Sequence, residues 1–89
     1  MDLRFSNHAR SQMTRRRIRE GEVRTVVSKG RRWHAQGARK FRVDRRTIRK
    51  AADEGDDLRR LDGITVVVSE TSDLVMTVYR NRKGERVWR

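Results

Sequence analysis

The sequence predicts an α+β domain in which two N-terminal helices pack on an antiparallel, curved, mostly four-stranded sheet. Apolar residues recur at helical spacing in the first third of the chain and alternate with polar ones after residue 31. The two longest helical segments precede the strongest strand segments, an order typical of a helix layer on one sheet face. Because 89 residues leave room for only one core, we expect residues 1–89 to form a single domain.

Two helical segments open the chain. The first is capped by Ser6 or Asn7 and runs to about residue 16. The second covers residues 19–28, and Gly30 follows it as a C′ glycine. Their inner faces are expected to carry the apolar residues Ala9, Met13, Val23, Val26 and Val27.

Strand patterns begin at residue 32. Residues 32–35 and 39–43 bracket a Gln36-Gly37 turn, and in the second of these strands Lys40 and Arg42 alternate with Arg39, Phe41 and Val43. Residues 44–52 can form a short capped helix. The best strands are residues 64–69 and 74–79, whose short connection predicts an antiparallel hairpin packed against the valines of the second helix. Val87 and Trp88 are expected to add an edge strand or a docking tail.

Positive charge dominates the composition. There are 24 Lys and Arg against 12 Asp and Glu, a formal net charge of +12, and only four of the cations are lysines, which leaves 20 arginines. A guanidinium group pairs with phosphate through two hydrogen bonds and stacks on bases, so this excess indicates a polyanionic partner, nucleic acid in first place, bound with steep salt dependence. Arginine-favouring codons of a high-GC genome, or an acidic partner protein, would also account for the composition.

Several classes of protein are excluded or disfavoured. The absence of cysteine excludes disulfides and thiolate metal sites. No apolar run approaches the length of a membrane span or a signal peptide, so we expect a cytoplasmic protein that binds no membrane. The acidic segment of residues 53–57 lacks the ligand spacing of a calcium loop and is interpreted as a solvated turn paired with arginines. We expect neither a metal nor a cofactor.

Short motifs occur in a definite order over about residues 3–81. They are Phe5-Ser6-Asn7-His8-Ala9, Arg15-Arg16-Arg17-Ile18, Glu22-Val23 with Val26-Val27, Ile64-Thr65-Val66-Val67-Val68, and Val75-Met76-Thr77-Val78-Tyr79-Arg80. In these motifs the chain resembles a widespread bacterial family of unknown function. That family is placed beside the RelE/ParE-like toxins, in the barnase, EndoU, colicin and RelE group of small proteins. Many members of the group cut RNA, whereas ParE-like members inhibit gyrase and others have no known reaction, so the resemblance implies a fold more firmly than an activity.

If the resemblance extends to RNA cleavage, the reaction needs a base, an acid and cations for the developing phosphorane charge. The candidate catalytic residues are His8, Arg16, Thr77, Tyr79 and Arg80. Each has a structural alternative: His8 can be a hydrogen-bonded helix residue, Arg16 a tie between the helices and an acidic residue, and Tyr79 a half-buried packing residue. Alternation places Thr77 and Tyr79 on one face of their strand and Arg80 on the other.

A second set of residues is suited to contact nucleic acid. Trp33 and Trp88 are flanked by arginines and so offer stacking surfaces beside cations, although packing in the core or at an edge would also explain them. The predicted binding residues are Arg17, Arg31, Arg32, Trp33, Arg39, Lys40, Arg42, Arg82 and Lys83.

Two hypotheses about function follow. The first is a RelE-like toxin or related metal-independent ribonuclease of a toxin-antitoxin system, with RNA lying across an arginine-lined sheet face. The second is a non-enzymatic module that binds nucleic acid or protein through the same face. The candidate partners are RNA or another nucleic acid, the ribosome, and an acidic antitoxin or other acidic protein.

Overall fold

The computed structural model describes residues 2–81 as a helical layer on a five-stranded sheet. The elements in chain order are β1 (Arg4–Phe5), α1 (Asn7–Arg16), α2 (Glu20–Lys29), β2 (Arg31–Ala35), β3 (Ala38–Arg42), α3 (Arg45–Asp53), a 3-10 helix (Arg59–Leu61), β4 (Ile64–Ser69) and β5 (Leu74–Arg80). Within residues 2–81, no helix is long and apolar enough to cross a membrane. The edge strand predicted at Val87 and Trp88 lies outside the described residues.

The sheet has the strand order β1-β5-β4-β3-β2 and is mixed and open. All neighbouring strands are antiparallel except β1, which runs parallel to β5 with Phe5 opposite Val75. The predicted α+β class, the two N-terminal helices and the β4–β5 hairpin are therefore confirmed. The predicted strand number was too low, because β1 has only two residues and no alternation that a sequence pattern can reveal. The short helix predicted over residues 44–52 is α3.

The core lies between α1, α2 and one face of the sheet. Val23 and Val26 of α2 are fully buried, and Val27 packs against the same cluster. The sheet contributes Phe41, alternate residues of β4, and Val75 and Val78 of β5, which are three residues apart because the register of the two strands shifts between Val67 and Val68. Val66 and Val78 face each other in register. The predicted packing of the α2 valines against the hairpin is thus confirmed. Residues Ala51, Leu58 and Leu61 extend the core from α3 and the 3-10 helix.

The residues that begin and end α1 and α2 agree only in part with the usual capping preferences. Ser6 caps α1 by accepting a hydrogen bond from the Ala9 N–H at 3.0 Å, as predicted. The left-handed residue that ends this helix is Arg17, with φ 58°, which was not predicted because glycine is the usual residue there. Gly30 after α2 is instead extended, with φ −75°. Its glycine is needed for space, since a Cβ would lie 2.5 Å from the Val26 carbonyl oxygen and 2.8 Å from that of Arg42.

Candidate nucleic-acid interface

The sheet face that points away from the core is called the open face. Strand register assigns to it two adjacent rows of side chains: Arg31, Arg42, Thr65 and Tyr79 in one, and Trp33, Lys40, Val67 and Thr77 in the other. The rows cross four strands, a width of about 14 Å at the usual strand spacing. The predicted alternation of Lys40 and Arg42 against Arg39, Phe41 and Val43 is confirmed, and it brings these two cations into line with Arg31 and Trp33.

Trp33 forms an aromatic platform at the β2 end of the open face. The Arg31 guanidinium carbon lies 4.9 Å from the ring centroid and that of Arg42 lies 5.7 Å away, both within the range of cation–π attraction. Arg42 is oriented by its Nε, which donates to the Thr65 hydroxyl at 2.9 Å. Trp33 is half-buried and is not part of the core cluster. The ring is therefore held in place by cations rather than by the core.

Negative charge is sparse on this face. No residue of the two open-face rows is Asp or Glu. On the helical side, carboxylates pair with cations: Glu20 with Arg10 at 2.7 Å, and Asp56 with Lys29 at 2.9 Å. This pairing also raises the pKa of Lys29. The helical side is thus partly neutralised. The open-face rows carry Arg31, Lys40 and Arg42, of which Arg31 pairs with Asp44 at 3.3 Å, so this face keeps a net positive charge.

The acidic segment predicted to be a solvated turn pairs with cations in the structure. Arg59 makes two side-chain hydrogen bonds to the Asp57 carboxylate, at 3.0 and 2.9 Å, and its backbone N–H makes a third. These bonds hold the pKa of Asp57 at about 2, well below its ordinary value of 3.8. Among residues 2–81, no three His, Asp or Glu side chains are grouped closely enough to hold a metal ion.

The candidate residues of β5 are divided between the two faces, as predicted. Thr77 and Tyr79 are half-buried on the open face, opposite Val67 and Thr65 of β4. Arg80 points the other way and donates from its guanidinium to the Arg60 carbonyl at 3.0 Å. One substrate on the open face can therefore meet Thr77 and Tyr79 but not Arg80.

Two predicted binding residues lie on the helix-side face. Arg39 is mostly buried and ties β3 to the β4–β5 connection, donating to the carbonyls of Ser69 at 3.1 Å and Ser72 at 2.7 Å. Arg32 is exposed and faces Phe41 across the strand pair. The structure therefore gives Arg39 a structural role. Predicted residues Arg82 and Lys83 lie outside the described residues.

The candidates of α1 are spread along the helix. His8 lies in its first turn and Arg16 in its last, a separation of about 12 Å along the axis, so the two are not neighbours on the helix. His8 is exposed, and its side chain makes no hydrogen bond with any other of residues 2–81. It lies one turn before Gln12, whose side-chain oxygen accepts from the Val78 N–H at 2.9 Å. This side of α1 therefore faces the backbone of β5 at Val78. Arg17 is exposed at the helix junction.

The structure adds a group of cations that sequence inspection did not single out. Arg46, Arg49 and Lys50 project from α3 into a shallow groove whose other side is formed by Lys29 and Arg31. The signal was present as the Arg45-Arg46 and Arg49-Lys50 pairs, spaced one helical turn apart. Their closeness to Arg31 depends on tertiary packing and could not be inferred from the pattern.

Comparison with protein families identifies most of the described chain. Residues 5–80 match the family model of a domain of unknown function, DUF4258. No curated protein and no solved structure gives a significant match. The matched region begins in β1 and ends at the last residue of β5, so it includes the whole open face.

Proposed function

Since the chain belongs to DUF4258, a family of unknown function, we propose its function from the open face: it binds single-stranded nucleic acid, RNA in particular. The observation that carries the proposal is Trp33, an aromatic ring with two guanidinium groups within 6 Å of its centroid, in open-face rows that contain no Asp or Glu. A stacking ring beside cations that follow the backbone is the arrangement by which proteins bind unpaired strands.

A single strand fits this surface better than a duplex does. Bases in a duplex are stacked on one another, and their flat faces are not accessible to a side chain such as Trp33. The open face spans four strands and carries Lys40 in the row of its aromatic ring and Arg31 and Arg42 in the next row, so a strand with unstacked bases can contact ring and cations at once.

The preference for RNA is supported by hydroxyl groups and by the resemblance to RelE-like proteins. Thr77 and Tyr79 place two hydroxyl-bearing side chains on the open face, where they can bond to a ribose 2′-hydroxyl. DNA lacks that group. An RNA and a DNA of the same sequence therefore test this part of the proposal directly.

The experiment is a salt titration of binding. A labelled oligouridylate of about 12 nucleotides, within the site sizes of sheet-based single-strand binders, is titrated by fluorescence anisotropy at several salt concentrations. Arg31, Lys40 and Arg42 supply three phosphate contacts, so log K against log salt should fall with a slope of about −2 or steeper, at about −0.7 per contact. Lys40→Gln should reduce the slope by about 0.7, and Arg59→Gln, which removes a charge paired with Asp57, should not.

A different result would reject the proposal. Absence of binding to any single strand at low salt, or a slope near zero, would remove its electrostatic basis. Equal or tighter binding of a stable RNA duplex would show that attraction to phosphate, and not base stacking, accounts for binding. Saturation by an acidic protein that RNA cannot displace would favour the protein-binding alternative.

Cleavage of the bound RNA is a second candidate function. Its specific support is the position of His8, which is exposed on the side of α1 that faces the backbone of β5, the strand that carries Thr77 and Tyr79. An RNA crossing the open face toward β5 would bring its backbone to this strand. A neutral imidazole there can act as a general base for the 2′-hydroxyl.

His8→Ala separates cleavage from binding. If His8 transfers a proton, the variant should lose about 10²- to 10⁴-fold in cleavage rate with EDTA present, while RNA affinity and melting temperature stay unchanged. Arg16→Ala should leave the rate unchanged, since it lies at the far end of α1. Full activity of His8→Ala would exclude this assignment, and failure of the wild-type protein to cleave, with or without ribosomes, would leave binding as its function.

A further inference from the structure

We propose that the groove between α3 and the start of β2 continues the nucleic-acid path beyond the open face, and that Arg46, Arg49 and Lys50 bind backbone phosphates there. This inference rests on the proposed function and gives it a second subsite. It predicts that a longer RNA binds through two separable groups of contacts.

The charge pattern of α3 is the first observation. Arg45 with Arg49, and Arg46 with Lys50, are like-charged pairs at i and i+4, and each such pair destabilises an isolated helix by about 0.2–0.5 kcal/mol. None of these four cations forms an ion pair with another of residues 2–81. On α2, by contrast, both Arg24 and Lys29 have carboxylate partners. The exposed side of α3 therefore accumulates positive charge that the described part of the protein does not neutralise.

The position of α3 is the second observation. Its N-terminus is fixed by Asp44, which accepts from the Thr47 N–H at 3.0 Å and pairs with the Arg31 Nε at 3.3 Å. Ile48 and Ala51 of the helix pack on the core. The opposite side, with Arg46, Arg49 and Lys50, is consequently held toward the groove and not free to rotate away.

Arg31 joins the two surfaces. It lines the α3 groove and also lies over the Trp33 ring, with 4.9 Å between its guanidinium carbon and the centroid. A strand whose base stacks on Trp33 would therefore have its next phosphates at the mouth of the groove. The groove contains two carboxylates, Asp44 and Asp53, against five cations, and Asp44 already pairs with Arg31, so its net charge is positive. A flexible polyanion matches this surface.

The test compares oligouridylates of about 4 and about 12 nucleotides. Both lengths lie within the range of site sizes, about 4 to 16 nucleotides, of proteins that bind single strands. The variant carries Arg46→Gln, Arg49→Gln and Lys50→Gln. Its matched control removes three cations that have carboxylate partners on the helical side, through Arg10→Gln, Arg24→Gln and Arg59→Gln. Both variants lose the same net charge.

For the wild-type protein we expect a slope of log K against log salt that is steeper by about 2 for the longer RNA, from three added contacts at about 0.7 each. The α3 variant should lose this difference and bind the short RNA as the wild type does, and the control should keep it. Retention of the length-dependent slope by the α3 variant would overturn the inference alone. Wild-type protein that binds neither RNA would overturn the proposed function, and the inference with it.

Discussion

Replacement of Trp33 by alanine removes the stacking platform of the open face without removing a charge. Base–aromatic stacking is worth about 1–3 kcal/mol per base in proteins that bind single strands. Two guanidinium groups already lie within 6 Å of this ring, so we expect it to accept one base, and place the loss at about 1–2 kcal/mol. That corresponds to a dissociation constant about 5- to 30-fold weaker.

The assay is fluorescence anisotropy with labelled oligouridylate across a range of salt. Because no phosphate contact is lost, the lines of log K against log salt for Trp33→Ala and the wild type should be parallel and displaced. Trp33→Phe keeps an aromatic face and should recover most of the affinity. Thermal melting should change little, since Trp33 is outside the core cluster.

Two outcomes would refute the reasoning. Wild-type affinity of Trp33→Ala would show that no base stacks on the ring. A reduced salt slope equal to that of Lys40→Gln would show that the ring acts only by positioning Arg31 and Arg42, so that the contribution assigned to stacking belongs to charge.

Three further predictions concern stability and titration. Gly30→Ala should lower the free energy of unfolding by about 1–3 kcal/mol in chemical denaturation, because the new Cβ meets two carbonyl oxygens. Gly21→Ala, whose Cβ would have nothing within 4 Å, should raise it by up to about 1 kcal/mol. A loss of similar size in both variants would contradict the steric argument. Arg39→Gln should cost about 1–3 kcal/mol by leaving strand carbonyls unpaired, and an unchanged denaturation midpoint would show that water replaces the guanidinium. Carboxyl NMR should find Asp57 titrating near pH 2, so that its ion pair with Arg59 is complete above about pH 4 and is lost as the pH falls through 2. Arg59→Ala should return the pKa of Asp57 toward 3.8. An unchanged pKa in this variant would assign the shift to another cause.

The parts of the fold that were predictable are those set by short-range patterns. Ser6 caps α1 because its hydroxyl and the Ala9 N–H are three residues apart, a relation visible in the sequence. Alternation in β3 and β5 was sufficient to place Lys40 and Tyr79 on the face that became the candidate site.

The features that escaped prediction depend on contacts between distant residues. The requirement for glycine at position 30 comes partly from the Val26 carbonyl of its own helix and partly from the Arg42 carbonyl, 12 residues along the chain. Arg39 was assigned to the binding surface because its partners, the carbonyls of Ser69 and Ser72, are about 30 residues away. The α3 groove likewise brings Lys29 and Arg31 beside α3, where Arg31 pairs with Asp44, residues that lie 13 or more positions apart in the chain.

The pairing of β1 with β5 has a consequence for biosynthesis. Ser6 bonds to Met76 and Val75 across a separation of about 70 residues, so the first strand cannot find its neighbour until β5 has left the ribosome. Until then α1 has no sheet to cover, and its apolar side stays available to chaperones or to other nascent chains. Contacts between such distant residues slow folding, and the apolar side of α1 stays exposed at least until β5 has been synthesised.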